Sequence, residues 1–129
     1  MQLAVDLVDG ASYAATASSL PLLYRVTFEN ETMISGSINV TACILENLRN
    51  NKVCVGYAGN ITSLPGAKRL IEAGTVVVLS VDALEHEEGL NDLIPGEYEV
   101  SAKVAVQVVK PDGSLRHQDL RATRQLVLV

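Results

Sequence analysis

The chain has 129 residues, 48% of them hydrophobic, 19% charged and 4% aromatic, with 10 basic and 15 acidic side chains. That length and apolar fraction suit a single domain around one core, residues 1–129, and exclude a disordered chain, which has too little apolar surface to offset its ordering entropy. The net charge of −5 argues against a duty on nucleic acid, and no run approaches the roughly 18 to 20 apolar residues of a membrane-spanning helix.

Hydrophobic period decides the class. Residues 2–8 read as a short strand ended by Asp9-Gly10, and residues 11–19 (ASYAATASS) as a small, polar connection. Residues 22–29 alternate Leu22, Tyr24, Val26 and Phe28 against Leu23, Arg25 and Thr27, which is a strand with one apolar face. Residues 34–46 place Ile38, Val40, Ala42 and Ile44 on one face and Asn39, Thr41 and Cys43 on the other, with Gly36 suited to a bulge. A polar turn at residues 49–52 leads to a strand at 53–57 and a loop at 63–66. Residues 67–73 suit either a short helical turn capped by Gly74 or an extended segment.

Residues 75–81 (TVVVLSV) are nearly all apolar or β-branched, the composition of a central strand covered on both faces. Residues 82–95 form an acidic connection. Residues 97–109 alternate Tyr98, Val100, Ala102, Val104, Val106 and Val108 against polar neighbours. Lys110-Pro111-Asp112-Gly113 is a hairpin turn, and residues 115–129 return as the partner strand, with a bulge expected at His117-Gln118-Asp119. The sum is an all-β chain of about seven strands in an antiparallel two-sheet sandwich, with a small barrel as the other closed solution.

Leu70 to Val108 has a familiar order: EAGTVVVLSV, a loop, LIPGEYEVSAKVAV, then the KPDG hairpin. It resembles the later strands of immunoglobulin-like domains of the E-set type, in which a Pro-Gly-x-Tyr corner starts the penultimate strand. In that arrangement Pro95-Gly96 turns the chain while Tyr98 buries its ring and its hydroxyl finds a partner at the sandwich end. The same order is similar to MD-2-related lipid-recognition domains and to bacterial proteinase-inhibitor-like sandwiches. The first normally carry several disulfides and the second aromatic-rich segments, and this chain has two cysteines, one Phe and no Trp.

Candidate chemistry is sparse. The histidines, His86 and His117, stand in charged surroundings without a GxSxG elbow, so a nucleophilic triad is not expected and no catalytic residue or cofactor is assigned. Cys43 and Cys54 lack the spacing of a zinc site. They face each other if the intervening turn centres on Leu48-Arg49, which would permit a disulfide, whereas a turn at Asn50-Asn51 sets Cys54 against Asn47. Seven carboxylates fall between residues 82 and 99 without a Lys or Arg. Asp82, Glu85, Glu87, Glu88 and Asp92 have the ligand type for calcium but not the EF-hand spacing, and a solvated acidic loop is the simpler reading.

Lys103, Lys110, Arg116, Arg121 and Arg124 supply half of the positive charge from the terminal hairpin. They are either outward charges that discourage stray strand pairing or a patch for an acidic protein partner, such as the acidic loop of a second copy. Three sequons, at Asn30, Asn39 and Asn60, point to a secreted, periplasmic or cell-surface setting, although the first 20 residues lack the basic and apolar regions of an intact leader. The expected function is a non-catalytic structural or adhesive binding module. The alternatives are a small lipid carrier using the space between the sheets and a proteinase inhibitor working through residues 47–52 or 85–94.

Overall fold

The computed structural model describes residues 1–8, 12–16, 19–51, 53–58, 66–84 and 93–129, with the backbone alone for 53–58. Nine strands are present: β1 (Gln2–Leu7), β2 (Ser12–Tyr13), β3 (Pro21–Thr27), β4 (Thr32–Asn47), β5 (Val53–Ala58), β6 (Lys68–Ile71), β7 (Val76–Asp82), β8 (Gly96–Val109) and β9 (Leu115–Leu128). They form an all-β sandwich. A three-stranded sheet runs β1-β3-β7, and a six-stranded sheet runs β2-β9-β8-β4-β5 with β6 added to the start of β4. All pairs are antiparallel except β2 with β9, where Ser12 and Tyr13 lie parallel to Val127 and Leu128.

The inner faces follow the period-two pattern. Leu22, Tyr24 and Val26 of β3, with Phe28 just beyond it, meet Tyr98, Val100, Ala102, Val104 and Val106 of β8, all buried. Removing each large side chain of this set from water is worth about 1.5–3 kcal/mol. Tyrosine hydroxyls cross between the layers: Tyr24 donates to the Ala42 carbonyl at 3.0 Å and Tyr13 to the Pro21 carbonyl at 2.9 Å. The Pro-Gly-x-Tyr corner closes as its chemistry suggests, with Tyr98 buried and its hydroxyl donating to the Ile94 carbonyl at 2.8 Å.

Strand β4 departs from a single alternating face. Its register with β8 slips between Ser35 and Asn39, where Gly36 takes φ +75°, and again between Val40 and Ala42. Val40 opposes Val104, but after the second slip Ala42 opposes Lys103 and Cys43 opposes Ala102. Each extra residue flips every later side chain to the other face. Cys43 and Leu45 therefore point into the core and are fully buried, while Ala42 and Ile44 point outward, the reverse of a continuous alternation. The residue at the slip, Thr41, is buried with no hydrogen-bond partner for its hydroxyl among the described residues.

Of the two conformations open to residues 67–73, residues 68–71 take the extended one, paired with residues 32–35 of β4. Three further corrections follow. The polar connection after β1 contains the two-residue strand β2, and with β6 it brings the strand number to nine. The hairpin of β8 and β9 keeps an unbroken register from Val109 and Leu115 to Gly96 and Leu128, so there is no bulge at residues 117–119. Finally, among the described residues β7 is an edge strand and not a central one. Val77, Leu79 and Val81 are partly buried against the core, while Val76 and Val78 remain 47% and 55% exposed.

Candidate functional site

The long β8–β9 hairpin lays its alternate residues on two surfaces, and this separates the basic side chains. Lys103 and Arg121 are direct cross-strand partners on the outer face of the large sheet. Arg116 and Arg124 oppose Val108 and Val100, so they belong to the other set of alternating positions and do not extend the same stripe. Arg116 instead donates to the Gln118 side-chain oxygen at 3.1 Å.

Two cations placed directly opposite each other are destabilising unless something answers them. Lys103 is answered by Asp119, whose Oδ2 lies 3.5 Å from its Nζ. Asp119 is itself held by His117: His117 Nε2 donates to Asp119 Oδ1 at 2.7 Å, and the Gln107 amide nitrogen donates to His117 Nδ1 at 2.8 Å. Because an amide nitrogen only donates and a carboxylate only accepts, these partners assign the imidazole tautomer. Slight burial opposes ionisation of Asp119. The hydrogen bond from His117, with the electrostatic pull of the imidazole and of the Lys103 ammonium, outweighs it and holds the carboxyl below its ordinary value. Arg121 has no carboxylate within ion-pair distance among the described residues.

Beside this pair the sheet surface dips. A groove of about 250 Å³ is lined by Ala42 and Ile44 of β4, Ser101, Ala102 and Lys103 of β8, and Arg121, Ala122 and Thr123 of β9. Its floor is short and mostly apolar because the slip at Thr41 turned Ala42 and Ile44 outward, and Lys103 and Arg121 stand on its rim. Sequence reasoning found both cations but missed Gln107, His117 and Asp119. The hairpin register around KPDG places Gln107 opposite His117 and puts Asp119 two residues along the same face, so that chain was readable once the turn was centred.

The remaining candidates distribute as follows. Glu85, Glu87, Glu88, Asp92 and His86 lie outside the described residues. Asp82 Oδ1 accepts the backbone N–H groups of Leu20 and Leu84, both at 2.9 Å, so that carboxylate oxygen already closes the chain around β7. No group of three or more His, Cys, Asp or Glu side chains suited to a metal occurs among the described residues. Cys43 is a free, buried thiol, so the disulfide with Cys54 is not formed. The β4–β5 register pairs Cys54 with Leu45 and Cys43 with Tyr57, intermediate between the two turn placements. Asn30 is exposed at the turn after β3 and Asn39 sits at the Gly36 slip in β4, its side chain donating to the Ser37 carbonyl at 3.0 Å. Asn60 lies outside the described residues.

No helix among the described residues is long and apolar enough to cross a membrane. The turn from β4 to β5 is tight: Asn47 Oδ1 accepts the N–H groups of Arg49 and Asn50 at 2.9 and 3.3 Å, and Asn51 takes φ 58°. Comparison with known protein families, with curated proteins and with solved structures finds no match to this chain.

Proposed function

We propose that this chain is a non-catalytic, immunoglobulin-like sandwich serving as a structural or adhesive module of an extracytoplasmic protein or assembly. Its outer face around Lys103 and Arg121 receives an acidic protein partner. The immunoglobulin-like reading is supported by the strand order β1-β3-β7 against β2-β9-β8-β4-β5 and by the buried Tyr98 bonding back to Ile94. The extracytoplasmic setting is supported by the sequons, of which Asn30 is exposed. The single observation that carries the binding reading is the juxtaposition of Lys103 and Arg121 across β8 and β9, with the described residues supplying a carboxylate to the first only. A carboxylate-bearing loop or strand laid in the adjoining groove supplies the missing charge and covers Ile44.

Three features weigh against the other readings. Both ring nitrogens of His117 are engaged by Gln107 and Asp119, which leaves neither available as a general base. The space between the sheets is filled by Tyr24, Phe28, Leu45, Tyr98 and Val104, all at most 1% exposed, which disfavours an acyl-chain carrier. Residues 47–51 form a closed turn pinned by Asn47, which disfavours an extended inhibitory segment there.

The test is an anisotropy titration of a labelled oligo-glutamate peptide at low salt. Reversing Lys103→Glu and Arg121→Glu together should weaken binding at least about ten-fold, since each lost charge contact is worth on the order of 1 kcal/mol. The pair Arg116→Glu and Arg124→Glu should cost less than about three-fold. Equal losses in the two double variants, or no loss in the first, refute the site.

A further inference from the structure

We infer that the edge of β7 that no described strand covers is a dimerisation site, pairing antiparallel with β7 of a second copy of this chain about a two-fold axis at Val78. The argument is independent of the basic groove and begins with the backbone. Phe28 donates to the Thr75 carbonyl and Ala83 donates to the Leu20 carbonyl, so Val77, Leu79 and Val81, opposite Val26, Tyr24 and Leu22, are the residues bonded to β3. Alternation then turns the N–H and C=O groups of Val76, Val78 and Ser80 away from β3, toward an edge that no other described strand covers.

That edge lacks the usual guards. Residues 73–81 contain no charged side chain and no proline, and the β3–β7 register shows no bulge. Its outward side chains Val76 and Val78 are 47% and 55% exposed, and Val77, Leu79 and Val81 on the inner side are only partly buried. Its composition is that of a strand covered on both sides, yet no described strand covers one of them. The occupant must supply an extended, apolar backbone, and β7 supplies it to itself.

Centring the pair on Val78 sets Val78 against Val78 and Val76 against Ser80 of the partner copy. Every outward N–H and C=O of the three residues is then bonded, and Val77 meets Leu79 on the inner side. No like charges are opposed, because the nearest ionisable residue in this strand, Asp82, falls opposite Gly74. The result is one continuous sheet, β1-β3-β7 joined to its own copy, with a self-complementary interface that closes at two.

The test combines sedimentation equilibrium with cross-linking on the whole chain. The parent chain should dimerise at tens of micromolar, and Val78→Pro and Val78→Lys should both sediment as folded monomers, judged by unchanged β-sheet circular dichroism. Proline is tolerated because the Val78 N–H does not bond to β3, and the lysine variant stands if the proline variant does not fold. In a Cys54→Ser background, Val78→Cys should oxidise to a covalent dimer, since a hydrogen-bonded antiparallel pair sets Cα atoms about 5.5 Å apart. Ser80→Cys should not, its copies lying about 14 Å apart along the strands. A monomeric parent chain, a dimer that survives both Val78 variants, or equal cross-linking at positions 78 and 80 overturns the proposal. Association lost in Lys103→Glu with Arg121→Glu but kept in the Val78 variants likewise overturns it, and assigns self-association to the basic groove.

Discussion

Tyr24 and Cys43 form a buried pair whose titration can be read out as stability. Both are fully buried, and the Tyr24 hydroxyl donates across the layers to the Ala42 carbonyl at 3.0 Å. Burial pushes Tyr24 far above the ordinary tyrosine range, and the adjacent Cys43 pushes it further through its charge and its hydrogen bond. Burial also raises Cys43 above its ordinary value of 9.0; the hydrogen bond from Tyr24 opposes this and the Asp82 charge adds to it. Folded protein thus retains two protons that unfolded chain releases as pH rises past 9.0 and 10.0. The associated stability is fully present below pH 9 and is lost on going alkaline.

Each such group costs about 1.4 kcal/mol per pH unit above its unfolded value. Between pH 7 and 11 that amounts to at most about 3 kcal/mol from Cys43 and about 1 kcal/mol from Tyr24. Tyr24→Phe removes its bond across the layers, so at pH 7 it should be about 1–2 kcal/mol less stable than the parent. By pH 11 that deficit should shrink by about 1 kcal/mol, because the phenylalanine has no proton to lose. The assay is urea unfolding under reducing conditions at pH 7, 9, 10 and 11. The narrowing should appear as a convergence of midpoints by about 0.5 M, with slopes near 2 kcal/mol/M. Both proteins are made in a Cys43→Ala background, which removes the thiol coupled to Tyr24, and titrations of groups away from the pair cancel in the difference. A deficit that stays constant or widens with pH would refute the reasoning.

Two substitutions probe the slips in β4. Thr41→Val replaces a buried hydroxyl that lacks a partner among the described residues with a methyl of the same shape, and should stabilise by about 1 kcal/mol in urea unfolding. Gly66→Ala would set a Cβ 2.6 Å from the Gly36 Cα and 2.9 Å from its nitrogen, backbone against backbone. It should cost about 1–3 kcal/mol, seen as a lowered Tm, and an unchanged Tm would show that the two segments separate freely.

Much of the architecture was legible in the residues alone. The alternation of Leu22, Tyr24, Val26 and Phe28, and of Tyr98 through Val106, names the two inner faces, because a strand's side chains must alternate and only one face can leave water. Lys110-Pro111-Asp112-Gly113 sets the terminal register because its turn residues tolerate few geometries: the Gly113 N–H returns to the Lys110 carbonyl with φ +87°. The slips in β4 were legible only in part. Gly36 signals the first, while nothing at Val40-Thr41-Ala42 signals the second, and a single extra residue exchanged which side chains are buried. The local residues of the cation pair were likewise visible, but its partition was not. Lys103 and Arg121 face one way, and Arg116 and Arg124 the other, by the parity of one hairpin.

The residues by themselves determined that this chain folds as layered strands with defined turns, since period and turn chemistry are properties of neighbours along the chain. Tertiary structure alone decided that Ala42 and Ile44 floor a groove, that Cys43 is a buried free thiol, and that β7 ends a sheet with its outer edge bare among the described residues. Those outcomes depend on which strand lies beside which, and pairing between distant segments is settled by the packing of the whole core and not by any stretch read on its own.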